Sequence, residues 1–230
     1  MHNILLDFNT RALEIESYFT FLESLITQKI KLAQFMEDGT QQIKSVDVEL
    51  AKTLKANGFL LLYNLAESTM RNAVEAIFEE LNTNEISFDD LKPEIKKIIL
   101  KNLKKRSPDN IYSEISRISI DIIVVSFNRD ELFSGNVDAR EIKKIAKNYG
   151  FSSDTNYDTT KHGENLLKVK SNRNDLAHGF RSFEKVGRDY TIEELIEIKQ
   201  EVIKYLEQIL NNIQDYLNNQ EYLESTASSP

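Results

Sequence analysis

Three residues near the end of a predicted helix, Arg173, Asn174 and His178, have side chains suited to chemistry on a phosphate ester. Arginine carries a permanent planar charge that matches phosphate oxygens, and histidine titrates near neutrality and can transfer a proton. Asn174 precedes His178 by one helical turn, so the two share a face, and Arg173 lies one step around the helix. Without a metal, these capacities suffice for attack of an RNA 2′-hydroxyl on the adjacent phosphate.

The spacing of these residues is weak evidence by itself, because an arginine and a histidine this close together arise readily by chance. In the plain interpretation, Arg173 pairs with a nearby acid and His178 merely caps the end of the helix, where the dipole favours a basic residue. The residues alone leave both interpretations open.

Other catalytic chemistries lack the residues they need. The chain has no cysteine, which excludes disulfides, thiolate zinc sites and cysteine nucleophiles. It has no glycine-rich phosphate loop, no Gly-x-Ser-x-Gly elbow and no His-Glu-x-x-His signature, and its three histidines are too few and too separated for a metal centre. The sequence therefore predicts neither a metal nor a cofactor.

Length and hydropathy place the chain in a broad class. Its 230 residues can bury a real core, no apolar run approaches the roughly 20 residues that span a bilayer, and no secretory signal is visible. We therefore predict a cytoplasmic protein that does not enter the membrane. The net charge of −8 argues against non-specific coating of nucleic acid.

Two short stretches are nevertheless basic, and most such runs are solvated helix faces. The alternative is a local RNA-binding surface, for which the candidates are Lys101, Lys104, Lys105 and Arg106. The two basic groups comprise Lys92, Lys96, Lys97, Lys101, Lys104, Lys105 and Arg106 in one stretch and Arg140, Lys143, Lys144 and Lys147 in the other.

Helical periodicity runs through most of the chain. We predict helices over about 13–36 (ending near Gly39), 46–81 (with a kink or a tolerated glycine at Asn57-Gly58), 93–103, from 108 onward, 139–149, 163–179 (with an end or a bend at Gly179) and 191–216. Capping boxes at Asp138–Glu141 and Thr191–Glu194 open two of these helices, and Gly150 closes one. Residues 118–127 fit a helix or a strand. The expected fold is all-α, a single bundle of about seven helices over 1–220, followed by a disordered tail over 221–230.

Several stretches resemble the HEPN superfamily. The string Arg173–Gly179 is similar to its signature, an arginine, a polar residue, a few further positions and a histidine near the start of a late helix of an all-α bundle. Here the string departs from that pattern in lying toward the end of the predicted helix, before Gly179. The stretches Leu60–Glu75 and 134–150 resemble one HEPN group found in prokaryotic defence and toxin–antitoxin loci. The resemblance covers roughly residues 45–217.

This resemblance implies a metal-independent endoribonuclease that acts as a homodimer, with the Arg173–His178 helices of two subunits meeting in one composite site. His178 would act as general base or acid, Arg173 would bind the scissile phosphate, and Asn174 would orient one of them. The expected products carry 2′,3′-cyclic phosphate and 5′-hydroxyl ends.

The resemblance also implies a cellular role. Such an RNase would act as a toxin or antiviral-defence effector. A further possibility, compatible with this role, is that a cognate antitoxin or a companion defence protein holds it and masks its activity until it is triggered. The alternative is a catalytically silent HEPN module that serves as a binding or assembly partner.

One further pair of residues has two interpretations. Glu67 and Arg71 are one turn apart in the predicted second helix, which suits an ordinary intrahelical ion pair. In the second interpretation, the pair holds Arg173 or His178 in place.

Overall fold

A computed structural model describes residues 1–28, 30–105, 126–128, 132–133 and 136–224. Its elements confirm the all-α fold class, since one short hairpin is the only sheet in these residues. None of the described helices has the length and hydropathy to cross a membrane. The elements are α1 (His2–Thr27), β1 (Lys31–Phe35), β2 (Gln41–Ser45), α2 (Val48–Thr83), α3 (Pro93–Lys105), α4 (Ala139–Tyr149), α5 (Tyr157–Thr160), α6 (Glu164–Ala177), α7 (Phe183–Arg188) and α8 (Ile192–Asn218), with 3₁₀ turns at Phe88–Asp90 and Lys161–Gly163.

Two of the predicted helix starts are confirmed by their hydrogen bonds. At the start of α8 the Thr191 N–H donates to Glu194 Oε2 over 2.8 Å, and the Glu194 N–H donates to Thr191 Oγ1 over 3.2 Å. At the start of α4 the Asp138 carboxylate accepts from the Glu141 N–H over 3.0 Å. Gly150 closes α4 in the left-handed conformation, with φ of 87°.

Helix α2 continues through Asn57 and Gly58, so the second of the two predicted alternatives, a glycine tolerated within the helix, is the one observed. A Cβ atom at Gly58 would lie 2.9 Å from Cζ of Phe19 on α1. The glycine is therefore a packing residue, which lets the Phe19 ring approach the α2 backbone.

The prediction of a first helix running to about residue 36 is wrong. Helix α1 ends at Thr27, and β1 and β2 follow as an antiparallel hairpin in which Ala33 pairs with Ile43. The turn explains the difference: the Asp38 carboxylate accepts from the Thr40 N–H over 2.9 Å, and Gly39 has φ of 81°. The apolar residues of this stretch fit the spacing of a helix as well as that of a strand. The hydrogen bond and the left-handed glycine of the turn favour the hairpin over a continued helix.

The end of the chain is packed further than expected. The sequence predicts disorder from residue 221, but Tyr222 is fully buried and its carbonyl accepts from the Lys92 N–H over 2.9 Å. The Glu224 N–H donates to the Asp90 carbonyl over 2.8 Å. Residues 225–230 lie outside the described residues, as do 106–125, which contain the predicted Pro108 helix and most of the segment 118–127.

The chain divides into two compact units, each assembled from segments that are distant in sequence. The motif unit consists of Leu6–Ala66 and Asn156–Tyr205, and it contains Arg173, Asn174 and His178. The terminal unit consists of Met1–Leu5, Glu67–Thr155 and Leu206–Pro230. That residues 1–220 form one domain stays a prediction.

Candidate active site

Helix α6 carries the candidate motif, and its packing fixes which side chains face outward. Leu166, Val169 and Leu176 are buried at helical spacing, which leaves Asn174 half-buried and His178 exposed. The helix starts after Gly163, whose φ is 77° and whose added Cβ would lie 2.8 Å from the Tyr205 ring. Only glycine therefore fits at this start, which seats α6 against α8.

Two neighbours hold the Arg173 side chain. Its Nη1 donates to Oδ1 of Asn174 over 2.9 Å. Its guanidinium carbon lies 4.3 Å from the ring centroid of Tyr63, a buried residue of α2. Arg173 forms no ion pair with any acid in the described residues, so the nearby acid of the plain interpretation is not found there. An arginine that stacks on a ring keeps a fixed plane while its remaining donors stay accessible to an anion.

His178 ends α6, and its backbone is well fixed. Its N–H donates to the Asn174 carbonyl over 3.0 Å. Gly179, with φ of 70°, then turns the chain so that the Phe180 N–H donates to the Asp175 carbonyl over 2.9 Å. The imidazole itself is exposed and lies 5.7 Å from the Phe180 ring. The backbone N–H rather than the ring therefore caps the helix.

A second set of contacts positions the residue before the motif. Asn172 is buried, and its Nδ2 donates to Oη of Tyr190 over 2.8 Å and to the Lys168 carbonyl over 2.9 Å. The Tyr190 ring packs edge-on against Phe59 with the centroids 4.8 Å apart. Because Asn172 and Arg173 are consecutive, these contacts fix the backbone from which the arginine extends.

One face of α2 supports both sets of contacts. Lys55, Phe59 and Tyr63 follow one another at intervals of four residues, so they form a stripe along the helix. Lys55 Nζ donates to the Tyr190 carbonyl, Phe59 packs on the Tyr190 ring, and Tyr63 stacks on Arg173. Sequence reasoning missed this stripe, because the apolar spacing of α2 predicts burial without showing which helix covers it.

Glu67 and Arg71 form the predicted intrahelical ion pair in the terminal unit, with Nη2 and Oε1 3.0 Å apart. Arg71 also donates to the Phe133 carbonyl over 3.4 Å, and its guanidinium carbon lies 5.8 Å from the Phe133 ring. These contacts tie α2 to the segment before α4. A supporting role for the pair toward Arg173 or His178 stays a prediction.

The two basic stretches meet in the terminal unit. Lys97 and Lys101 of α3 and Lys147 of α4 line one groove of about 290 Å³. None of the three forms an ion pair with a described residue. Lys104 and Lys105 are exposed in the last turn of α3, and Arg106 lies outside the described residues. The groove therefore joins lysines that are far apart in sequence.

The all-α fold, with an arginine, an asparagine and a histidine at the end of a late helix, agrees with the class of HEPN proteins that the sequence resembles. The sequence model of the MAE_28990-like HEPN family matches residues 1–222, and the chain belongs to this family. The match includes α1 and the hairpin, which precede the predicted region of resemblance. No curated protein and no solved structure matches the chain. HEPN domains are often RNases or defence-related modules, and they often act in dimers or with partners.

Proposed function

We propose that this protein is a metal-independent endoribonuclease that leaves 2′,3′-cyclic phosphate and 5′-hydroxyl ends, and that it acts as a toxin or antiviral-defence effector. The observation that carries the proposal is the arrangement of the motif. Arg173 is held by Asn174 and Tyr63 without an ion pair to a described acid, and the His178 imidazole is exposed on the same helix. Family membership supports the same class of activity.

The reaction assigns a role to each side chain. The 2′-oxygen attacks the adjacent phosphorus, its proton passes to a base, and the bond to the 5′-oxygen breaks as that oxygen takes a proton from an acid. Arg173 stabilises the charge that develops on the phosphate oxygens, and Asn174 holds the guanidinium. His178 supplies one of the two proton-transfer groups, and a second copy of the chain supplies the other.

The surface of α6 supports assembly through this helix. Leu167, Ser171, Asn174 and His178 follow the spacing of one helix face, and Leu167 is 43% exposed. Phe180, just beyond His178, is 77% exposed. Exposed apolar side chains on both sides of a polar motif suit an interface that buries the motif between two subunits.

The test compares the wild type with His178→Ala, and His2→Ala, which removes an exposed histidine of α1, is the matched control. We expect wild type and His2→Ala to generate new 5′-hydroxyl RNA ends in cells and in vitro with EDTA present. We expect His178→Ala to lose this activity by about 10²-fold or more while keeping its helical circular dichroism. Undiminished cleavage by His178→Ala would remove the catalytic role.

The second candidate is a catalytically silent HEPN module that binds an antitoxin or a companion defence protein. The hairpin favours it, because both strands are exposed along their length and Phe35 is 77% exposed together with Leu32, Met36 and Ile43. If this candidate is correct, Phe35→Glu abolishes co-purification of the partner, and His178→Ala leaves the cellular effect unchanged.

A further inference from the structure

A pocket of about 470 Å³ opens in the motif unit between the end of α1, the base of the hairpin, the start of α2 and α7. This volume lies within the range of about 300–1,000 Å³ that small-molecule sites occupy. Six of its eleven lining residues are aliphatic. Four others, Lys31, Lys52, Lys55 and Arg188, are cationic, and none is acidic.

The cations at this pocket differ in how far they are neutralised. Lys52 lies between two carboxylates, 2.7 Å from Glu49 and 3.2 Å from Glu184. Lys55 has no carboxylate within ion-pair distance among the described residues, and its Nζ donates to the Tyr190 carbonyl instead. Burial, and then the charge of Lys52, lower the pKa of Lys55, while two glutamates at the start of α8 act in the opposite direction. The negative charge of an anion beside Lys55 would act in the same direction as these glutamates.

The same lysine connects the pocket to the candidate active site. Ala51 lines the pocket one turn before Lys55, so the stripe on α2 begins at the pocket and ends at Tyr63 beneath Arg173. Lys55 holds the backbone of Tyr190, whose hydroxyl holds Asn172. A ligand that binds Lys55 would therefore affect Tyr190 and, through it, Asn172, the residue before Arg173.

We propose that this pocket binds a small amphipathic anion, a carboxylate or phosphate monoester on an apolar chain, and that its headgroup competes with the Tyr190 carbonyl for Lys55. The aliphatic walls take the apolar body, and the cationic residues take the headgroup. Binding then changes the surroundings of Asn172. Neither the binding of the anion nor its effect on Asn172 depends on RNA cleavage by the chain.

Calorimetric titration of the full chain with decanoate and decyl phosphate tests the site, with decanol and decyltrimethylammonium as matched probes. We expect saturable one-to-one binding of at least one anion, about tenfold weaker binding of decanol, and no binding of the cation. Whichever anion binds tighter identifies the headgroup. Equal affinity for the anions and the cation, or no binding of either anion, would overturn the proposal.

Two substitutions test whether the anion binds in this pocket. Ala51→Phe fills the pocket from α2, and Lys55→Met removes the ammonium while keeping a chain of similar length. We expect the first to abolish anion binding and the second to weaken it about tenfold, whereas Lys143→Met on α4 has no effect. Each variant is checked by circular dichroism and thermal unfolding. Anion affinity that is unchanged in both pocket variants locates the ligand elsewhere and refutes the assignment.

A separate measurement tests whether anion binding at Lys55 affects Asn172, next to the motif. In ¹⁵N-labelled protein, the side-chain amide of Asn172 reports the hydrogen bond to Tyr190. We expect its resonances to shift on anion binding in the wild type and to stay unchanged in Lys55→Met at saturating anion. Tight binding to the wild type with no change at Asn172 would show that the ligand does not act through Lys55.

Discussion

The contact of Arg173 with Tyr63 indicates what a buried ring would contribute to the phosphate-binding role that we propose for Arg173. A free arginine side chain has about 2 kcal/mol of rotamer entropy, part of which must be lost before it can bind a phosphate in one orientation. The ring, 4.3 Å from the guanidinium carbon, and the Asn174 acceptor hold that orientation in advance. In the proposed reaction, Tyr63 is therefore a positioning residue that acts through Arg173.

The ring of Tyr63 can be tested separately from its hydroxyl. We expect Tyr63→Leu to lower kcat/KM for RNA cleavage about five- to thirtyfold, because leucine removes the cation–π interaction while most of the apolar volume remains. Tyr63→Phe keeps the ring and should retain activity. The measurement is the initial cleavage rate of a short RNA, with the melting temperature of each variant as a control. An equal loss in Tyr63→Phe would assign the role to the hydroxyl instead.

At the scale of elements, helix caps can be predicted from the sequence, whereas strand pairing and contacts between distant helices cannot. The capping box from Thr191 to Glu194 and the glycine at 150 act within a few residues, so their types and spacing identify them. The hairpin at 31–45 was missed because its apolar positions also fit a helix. The stacking of Tyr63 on Arg173 joins two helices more than a hundred residues apart, and no periodicity specifies such a partner.

Helix α7 packs on α2 through backbone, which makes Gly187 intolerant of a side chain. A Cβ atom there would lie 1.8 Å from the Lys52 carbonyl oxygen. We expect Gly187→Ala to lower the free energy of unfolding by about 3 kcal/mol or more, because one backbone must move away from the other. Lys185→Ala, at an exposed position of α7, should change it by less than about 0.5 kcal/mol. Urea titration measures both, and equal values for the two would contradict the close packing.

The groove between α3 and α4 has a sign of charge opposite to that of the chain as a whole. The two helices carry nine basic and two acidic side chains, in a chain with a net charge of −8. Lys97, Lys101 and Lys147 line the groove from both helices. We propose that this surface binds the phosphate backbone of RNA, together with Lys104 and Lys105 of α3 and with Arg106, which follows α3 in the sequence.

Salt dependence tests this surface without cleavage when the protein carries His178→Ala. We expect a fluorescent 12-nucleotide single-stranded RNA to bind more weakly when Lys101 and Lys147 are both replaced by alanine. The slope of log K against log salt should fall by about 0.7 for each phosphate that the double variant no longer neutralises. Replacing Lys44 of the hairpin and Lys185 of α7 by alanine changes the net charge equally and serves as the control. Identical slopes for the two double variants would mean that the groove binds no phosphate.

At the scale of the whole molecule, one copy of the motif supplies too little for the proposed reaction. Cleavage needs one group to remove a proton from the 2′-hydroxyl and another to protonate the leaving 5′-oxygen, and the motif on α6 carries a single histidine. A two-fold contact through the exposed face of α6 would bring a second histidine to the same phosphate. Because such a contact is isologous, each substitution on α6 acts on both subunits at once.

A substitution that blocks this contact should abolish activity without altering the site. We expect Leu167→Glu to yield a folded, inactive monomer at micromolar concentration, since this side chain is 43% exposed and its new charge opposes association. Leu13→Glu, at a leucine of α1 that is 67% exposed, serves as the control and should leave the assembly and cleavage intact. Sedimentation velocity measures the assembly. Excess His178→Ala chain mixed with wild type should also suppress cleavage per wild-type subunit, because each mixed dimer holds only one copy of His178. A wild-type monomer that cleaves RNA at full rate would contradict the composite site, and the proton-transfer partner of His178 would then lie within a single chain.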